Sequence, residues 1–128
     1  MSDEQFDKGM AVRKAVLGAD YVARAEVAKT AFDADFQRYV TENAWGAVWA
    51  RPGLERKTRH MLTIAMLASL GRFEELGAHL RATRNTGVTP DEVKEILLQV
   101  AVYAGAPAAN SAFAVAKRVY RELESEGK

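Results

Sequence analysis

The sequence predicts an all-α protein of about six helices joined by short loops, and three observations lead to that prediction. Strand signals are almost missing from the 128 residues. The prolines, Pro52, Pro90 and Pro107, each fall where a helix should start or a loop should turn. Apolar side chains such as Phe32 and Phe36 recur at helical spacing. Together these features favour a helical bundle.

Composition and charge are those of an ordinary globular protein, most simply one domain over residues 1–128. Hydrophobic residues make up 48% of the chain and charged residues 27%. A formal net charge of +1 gives no overall attraction to nucleic acid or to an anionic membrane. Cysteine is absent, which excludes disulfides, thiolate chemistry and thiolate-bound zinc. The mixed acidic N-terminus lacks a signal-peptide pattern, so we expect a cytoplasmic protein that does not enter a membrane.

In the first half of the chain, helix ends are predicted from caps and turns. The first helix should cover Asp3–Leu17, with Gly18 as its C-terminal cap. A second helical region covers Asp20–Thr30 and Asp33–Val48. The stretch Ala50–Leu54 contains Pro-Gly, a strong turn signal, and should break the helical pattern.

In the second half of the chain, the predicted helix Glu55–Leu70 starts with charged residues, while its last ten residues are apolar on every side. A helix with that pattern is buried on every side, and we expect another subunit to supply part of the burial. A further helix covers Arg72–Asn85. Thr89-Pro90-Asp91-Glu92 is a capping box that starts a helix running to about Tyr103. The last amphipathic helix covers Pro107–Glu124.

His79 is the first candidate for chemistry, one helical turn after Glu75. A carboxylate at that spacing can hydrogen-bond the imidazole, hold its tautomer and raise its pKa, which suits a general acid near neutral pH. The alternative is a surface or core histidine with an ordinary i,i+4 neighbour. No metal site is expected, because the only other histidine, His60, has no carboxylate four residues away and no Glu-x-x-His pair is repeated.

The stretch WGAVWARPGL places two tryptophans, an arginine and a Pro-Gly turn within ten residues. Arg51, at a helix end and braced by Trp49, could bind both oxygens of a carboxylate. The alternative is that the tryptophans are core residues and the arginine is solvated.

Two weaker candidates remain. Arg56, Arg59 and His60 share a helical face, which could be a solvated helix end or a positive lip that attracts an anionic substrate. Tyr103 precedes the small residues of Ala104-Gly105-Ala106, and its hydroxyl could donate to an oxyanion. A tyrosine at a helix end is, however, more often a packing residue.

The order of these motifs resembles the carboxymuconolactone decarboxylase family of the alkylhydroperoxidase D-like superfamily. RKAVLG is followed by WGxVWxRPGL, the apolar helix, ELxxHL, NTGVTPxEVxE and YxGxPAAxxA. The thiol peroxidases of the superfamily carry Cys-x-x-Cys-x-x-x-His, and here Arg72 and Glu75 stand at the cysteine positions. Thiol chemistry is therefore impossible in this chain, while the histidine remains.

The resemblance implies an alkylhydroperoxidase D-like helical bundle assembled into a ring of subunits, a hexamer, with no metal or organic cofactor. It implies a small dicarboxylate lactone as the substrate and 4-carboxymuconolactone decarboxylation, a step of protocatechuate breakdown, as the reaction. The alternatives are a related enzyme acting on another small lactone or a hydroperoxide, and a non-catalytic helical module for oligomerisation or ligand sensing.

Roles for the candidate residues follow from that implied reaction. His79, oriented by Glu75, would deliver a proton to carbon. Arg51 would pair with the carboxylate that is retained, and Arg59, or another basic side chain of its helix, would stabilise the oxyanion on the lactone carbonyl. Trp49 and Tyr103 would form the walls of the site.

Overall fold

The computed structural model describes residues 3–127, and their regular structure is entirely helical, which confirms the all-α prediction. The described part of the chain forms eight α-helices and one π-helix instead of about six helices, because two predicted helical regions are divided. Their order is α1 (Asp3–Leu17), α2 (Ala19–Ala28), α3 (Ala34–Val40), the π-helix (Thr41–Trp49), α4 (Arg56–Leu70), α5 (Phe73–Arg81), α6 (Thr83–Thr86), α7 (Pro90–Tyr103) and α8 (Ala106–Ser125).

The predicted helix bounds are most accurate where neighbouring residues in the sequence cap the helix end. The start of α7 has the predicted capping box: the Glu92 amide donates to Thr89 Oγ1 at 3.1 Å, and the Thr89 amide donates to Glu92 Oε1 at 2.9 Å. The C-terminal end of α1 is followed by Gly18, whose φ of 99° favours glycine. The predicted ranges of both helices, Asp3–Leu17 and Pro90–Tyr103, match the structure.

The predicted helical region Asp33–Val48 is helical from Ala34 onward, but its second half, from Thr41, forms the π-helix instead of continuing as an α-helix. At its end the Ala50 amide donates to the Trp45 carbonyl, five residues back, at 3.0 Å. Apolar spacing over so short a stretch does not distinguish i→i+4 from i→i+5 hydrogen bonding, so the sequence pattern missed the change.

The chain divides into two compact units, the first ending at Arg56 and the second beginning at Lys57. In the first unit, α1 packs against the π-helix around Val12, Val16 and Trp45. Two buried glycines, Gly9 and Gly46, permit this approach, because a β-carbon on either would overlap backbone atoms of the other helix. The two helices are therefore held in backbone contact.

The second unit has its own hydrophobic core, to which α4, α5, α7 and α8 all contribute. Residues at helical spacing bury one stripe of each helix, as expected for amphipathic helices. The largest fully buried aliphatic side chains of this core are Ile64, Leu76, Leu80, Val93, Leu97 and Val119. This core fixes the positions of α4 and α5, which carry the two histidines.

Within the single chain, one side of the apolar half of α4 is exposed, and the prediction assigned part of its burial to another subunit. Leu62, Met66 and Leu70 are 44%, 57% and 72% exposed and follow one another at four-residue intervals. Val102, near the end of α7, is also largely exposed. The chain alone therefore leaves these apolar side chains uncovered. Within residues 3–127, no helix is both long and apolar enough to cross a membrane.

Candidate functional site

His79 lies near the C-terminal end of α5, half-buried beside the helix's buried stripe. Leu76, three residues before it, and Leu80, directly after it, are fully buried. Gly77 lets α5 approach α8, because a β-carbon there would already lie 3.1 Å from a terminal nitrogen of Arg118. The packing of α5 thus determines where the imidazole of His79 sits.

The hydrogen-bond partner of His79 is the chain's other histidine. His60 is fully buried on α4, and its Nε2 lies 3.1 Å from Nδ1 of His79. The two imidazole rings meet edge to face, with centroids 5.2 Å apart and an interplanar angle of 64°. The pair joins α4 to α5 through two residues that are 19 positions apart in the sequence.

Thr86 extends this contact into a chain of three side chains. The Nδ1 atom of His60 lies 2.6 Å from the Thr86 hydroxyl, on the short helix α6. Gly87 ends α6 with a φ of 86°, a left-handed conformation that favours glycine and turns the backbone after Thr86. Both ring nitrogens of His60 therefore have partners, and Nδ1 of His79 has one.

Burial lowers the pKa of His79 to about 4, although the negative charge of Glu75 acts in the opposite direction. Burial, with a smaller contribution from His79, lowers the pKa of His60 to about 4 as well. Glu75 raises the pKa of His79 as predicted, but desolvation outweighs the carboxylate's attraction, so the net effect is a lowered pKa. Both imidazoles are neutral at neutral pH in the free protein.

The structure places Glu75 on the exposed surface of α5. Within residues 3–127 it makes no hydrogen bond to the imidazole of His79, whose Nδ1 faces His60 instead. Glu75 therefore acts on His79 through its charge alone, and the orienting contact comes from another helix.

Arg59 directly precedes His60 on α4 and is half-buried. Its Nε is a buried donor with no hydrogen-bond partner among the described residues. A buried donor without a partner is costly, and an anion could satisfy it. This geometry supports Arg59 as an anion-binding residue.

The predicted positive lip of Arg56, Arg59 and His60 is wrong for His60, which is buried in the core while Arg56 is exposed. A sequence signal for this burial did exist. His60, Ile64 and Ala68 recur at four-residue intervals, and all three are buried. The charged residues before His60 suggest a solvated face, whereas the apolar residues after it continue the buried stripe to which His60 belongs.

Trp49 and Arg51 belong to the first unit. Trp49 is half-buried and stacks on Trp45, with ring centroids 4.8 Å apart and an interplanar angle of 29°. Arg51 is exposed just beyond the π-helix, and its backbone amide donates to the Val48 carbonyl at 3.0 Å. The backbone at Arg51 is thus anchored, while its side chain reaches solvent.

Tyr103 is the last residue of α7 and is 82% exposed, so most of its ring faces solvent in the single chain. A cavity of about 640 Å³ in the second unit lies between the α6–α7 segment and α8, and its lining includes Arg84, Lys117 and Tyr120 but none of the predicted site residues. No group of three His, Asp or Glu side chains in residues 3–127 is placed to hold a metal ion.

These features define a helical protein whose partly buried imidazole pair is suited to proton transfer. The chain belongs to the Carboxymuconolactone decarboxylase family, which it matches over residues 34–118, a range that includes every predicted site residue. The resemblance noted in the sequence is therefore confirmed.

Two relatives match nearly the whole chain. It is 48% identical over 124 residues to the 4-carboxymuconolactone decarboxylase of Acinetobacter baylyi, covering 96% of this chain and 92% of that protein. It is 42% identical over 122 residues to a nitrosuccinic acid decarboxylase of Metarhizium robertsii, covering 95% of this chain and 85% of that protein. Both relatives are named as decarboxylases.

Proposed function

We propose that this chain is a carboxy-lyase that converts 4-carboxymuconolactone to 3-oxoadipate enol-lactone without a cofactor, in the β-ketoadipate pathway of aromatic catabolism. The observation that carries the proposal is the 48% identity, over 96% of the chain, to a protein of that activity. The sequence further predicts that the enzyme works in the cytoplasm.

The reaction needs little beyond positioning and charge stabilisation. The departing carboxylate sits on the lactone carbon next to the ring oxygen, and its bonding electrons flow through the ring double bond to the lactone carbonyl. Because the substrate accepts its own electrons, the protein must hold it, stabilise the developing oxyanion and supply one proton.

We assign proton delivery to His79. Its Nδ1 is engaged by His60, so Nε2 is the nitrogen left to deliver a proton to the carbon alpha to the lactone carbonyl. The imidazole is neutral in the free protein because burial lowers its pKa to about 4. A bound substrate with two carboxylates favours the imidazolium, which then donates to the carbanion and is recharged from water.

Arg59 and Arg51 are assigned to the substrate's lactone carbonyl oxygen and to its retained carboxylate. Arg59, whose Nε is an unsatisfied buried donor, would stabilise the oxyanion on the lactone carbonyl. Arg51 would bind the retained acetate carboxylate, with Trp49 and Tyr103 as walls of the site. The departing carboxylate is best left without a cation, because its charge is lost in the transition state.

Arg51→Ala is expected to raise KM by roughly 10- to 100-fold and to change kcat little, since a charge-assisted hydrogen bond contributes about 1.5–3 kcal/mol and this one is made equally in reactant and transition state. Steady-state kinetics on the lactone provide the measurement. Arg24→Ala, an exposed arginine of α2 outside the family match, is the control. An unchanged KM would remove Arg51 from the binding site.

Nitrosuccinate is a second candidate substrate, because one relative is named as a nitrosuccinic acid decarboxylase. In that compound the departing carboxylate is adjacent to a nitro group, which also accepts the electron pair on oxygen. Both reactions leave a carbanion that is protonated alpha to the electron acceptor, so one imidazole could serve either substrate.

The test is a direct comparison of the two substrates. The purified protein is incubated separately with 4-carboxymuconolactone and with nitrosuccinate, and carbon dioxide release is followed, with each substrate incubated without protein as the control for spontaneous loss. We expect the higher kcat/KM with the lactone. A higher value with nitrosuccinate would reassign the substrate, and no release from either would support a non-catalytic module.

We also propose that the chain assembles into a homo-oligomer, a hexamer, which would cover the exposed Leu62, Met66 and Leu70 of α4. Met66→Glu should then dissociate the assembly, because it places a charge in an apolar contact. Light scattering after size exclusion should give about six times 14.1 kDa for the wild type and a much smaller mass for the variant. Lys14→Glu, at an exposed position of α1, should leave the mass unchanged.

A further inference from the structure

The cavity of about 640 Å³ between the α6–α7 segment and α8 has no part in the proposed decarboxylation, because none of the residues assigned to that reaction lines it. Its volume suits a small organic molecule, since sites for such molecules commonly measure roughly 300–1,000 Å³. The cavity lies within the second unit, and its walls belong to helices packed on the core of that unit. The chemistry of its lining indicates the class of ligand that fits.

Three cationic side chains line this cavity on two of its walls. Arg84 lies on α6, and Lys117 and Arg121 lie one turn apart on α8. Within residues 3–127 none of the three forms an ion pair, since the ion pairs of α8 involve other cations. Glu124 is the only carboxylate in the described lining, so three cations and one anion give it a net charge of +2, against +1 for the whole chain. Positive charge is therefore concentrated here, where an anion can neutralise it.

The same cavity also has an apolar surface. Val88 is only 4% exposed, Leu123 is half-buried, and Pro90 at the start of α7 completes this part of the lining. The hydrocarbon portion of a ligand would be stabilised by packing on these side chains, whereas a bare inorganic anion would gain nothing from them. The lining therefore favours an organic anion with an apolar body.

Tyr120 adds a hydrogen-bond donor to the lining. Its hydroxyl is buried and has no hydrogen-bond partner among the described residues. Burial raises the pKa of Tyr120, so the phenol stays protonated and can donate at neutral pH. Leaving such a donor unpaired costs free energy, which an oxygen atom of a ligand bound beside the ring would recover.

We propose that this cavity is a second binding site, separate from the histidine pair, for a small organic carboxylate. The three cations hold the carboxylate group, the Tyr120 hydroxyl donates to one of its oxygens, and the apolar part of the ligand packs on Val88 and Leu123. Benzoate is a simple member of this class, because it carries one carboxylate on a flat hydrocarbon ring. Binding requires no turnover, so the inference does not rest on the proposed decarboxylation.

Benzoate is titrated into the wild-type protein in its native assembly, and backbone amide signals are followed by NMR. The signals of residues 117–124 on α8 report on this cavity, and we expect them to shift along one saturable curve. Benzyl alcohol, which has the ring without the charge, and inorganic phosphate, which has charge without the ring, should each bind at least about tenfold more weakly. Arg51→Ala should leave the α8 curve unchanged, because Arg51 belongs to the proposed catalytic site.

Two variants of the lining test its assigned groups. Arg121→Gln should weaken benzoate binding about tenfold. Arg118→Gln is the matched control on the same helix, since Arg118 lies outside the lining and pairs with Glu122, and it should stay within about twofold of the wild type. Tyr120→Phe should weaken binding about fivefold without lowering the thermal midpoint, because the hydroxyl it removes has no partner in the free protein.

Several results would overturn the proposal. Unshifted α8 signals at the solubility limit of benzoate would exclude the site, and equal affinity for benzyl alcohol or phosphate would remove its preference for an organic anion. Wild-type affinity in Arg121→Gln would show that this cation does not hold the ligand. Lower stability with unchanged affinity in Tyr120→Phe would assign the hydroxyl to the fold alone. Carbon dioxide release from the lactone without benzoate binding at α8 would contradict this site only, and binding without release would contradict the proposed function only.

Discussion

His79→Ala is expected to lower kcat by about two to four orders of magnitude while KM changes much less, since general acid catalysis contributes on that scale. The position of this imidazole is set by a partly buried hydrogen bond to a second histidine, His60. Loss of the imidazole leaves the carbanion to be protonated by water. Initial rates of carbon dioxide release over a range of lactone concentrations provide the measurement.

Glu74→Ala is the matched control for this prediction, because Glu74 is an exposed residue of the same helix, α5. It should retain wild-type kcat and KM. Wild-type turnover by His79→Ala would show that another group protonates the product, and it would remove the acid role from His79.

Gly9→Ala is expected to destabilise the first unit by about 3 kcal/mol or more, at the upper end of the range for overpacking. A β-carbon at this position would overlap the Thr41 carbonyl oxygen and lie 2.7 Å from the Gly46 amide nitrogen. Both are backbone atoms of the π-helix, so neither can rotate away. An exposed helix would instead gain roughly 0.5–1 kcal/mol from the same change, so the expected sign is reversed.

Urea unfolding followed by circular dichroism measures this effect. Gly53→Ala is the control, because a β-carbon at Gly53 meets no atom within 4 Å and should change stability by less than about 0.5 kcal/mol. A Gly9→Ala protein as stable as Gly53→Ala would mean that α1 and the π-helix do not pack at this distance.

Helix ends were predictable where they depend on neighbouring residues. Thr89 and Glu92 cap α7 by exchanging hydrogen bonds three residues apart, and such contacts are written in the local sequence. The π-helix was not predictable in this way. Within it, Gly46 lies against Gly9 of α1, a contact between segments far apart in the chain that no local pattern contains.

The candidate site shows the same division. His79 stood out from its place in a helix and from the resemblance, but its orienting partner was assigned to Glu75, the carboxylate one turn away. The structure gives that contact to His60 and leaves Glu75 only an electrostatic effect. Sequence spacing describes neighbours on one helix, whereas a buried hydrogen bond between helices depends on how those helices pack.

The amino-acid sequence by itself determined the all-α class, the absence of thiol chemistry and the family, because these depend on local propensity, on composition and on the order of motifs along the chain. Only the tertiary structure decided that His60 leaves the charged face, meets His79 and is held by Thr86. It also decided that burial would lower the pKa of His79 despite Glu75. Desolvation and hydrogen bonds between helices arise only when distant segments are packed together, and no local pattern contains them.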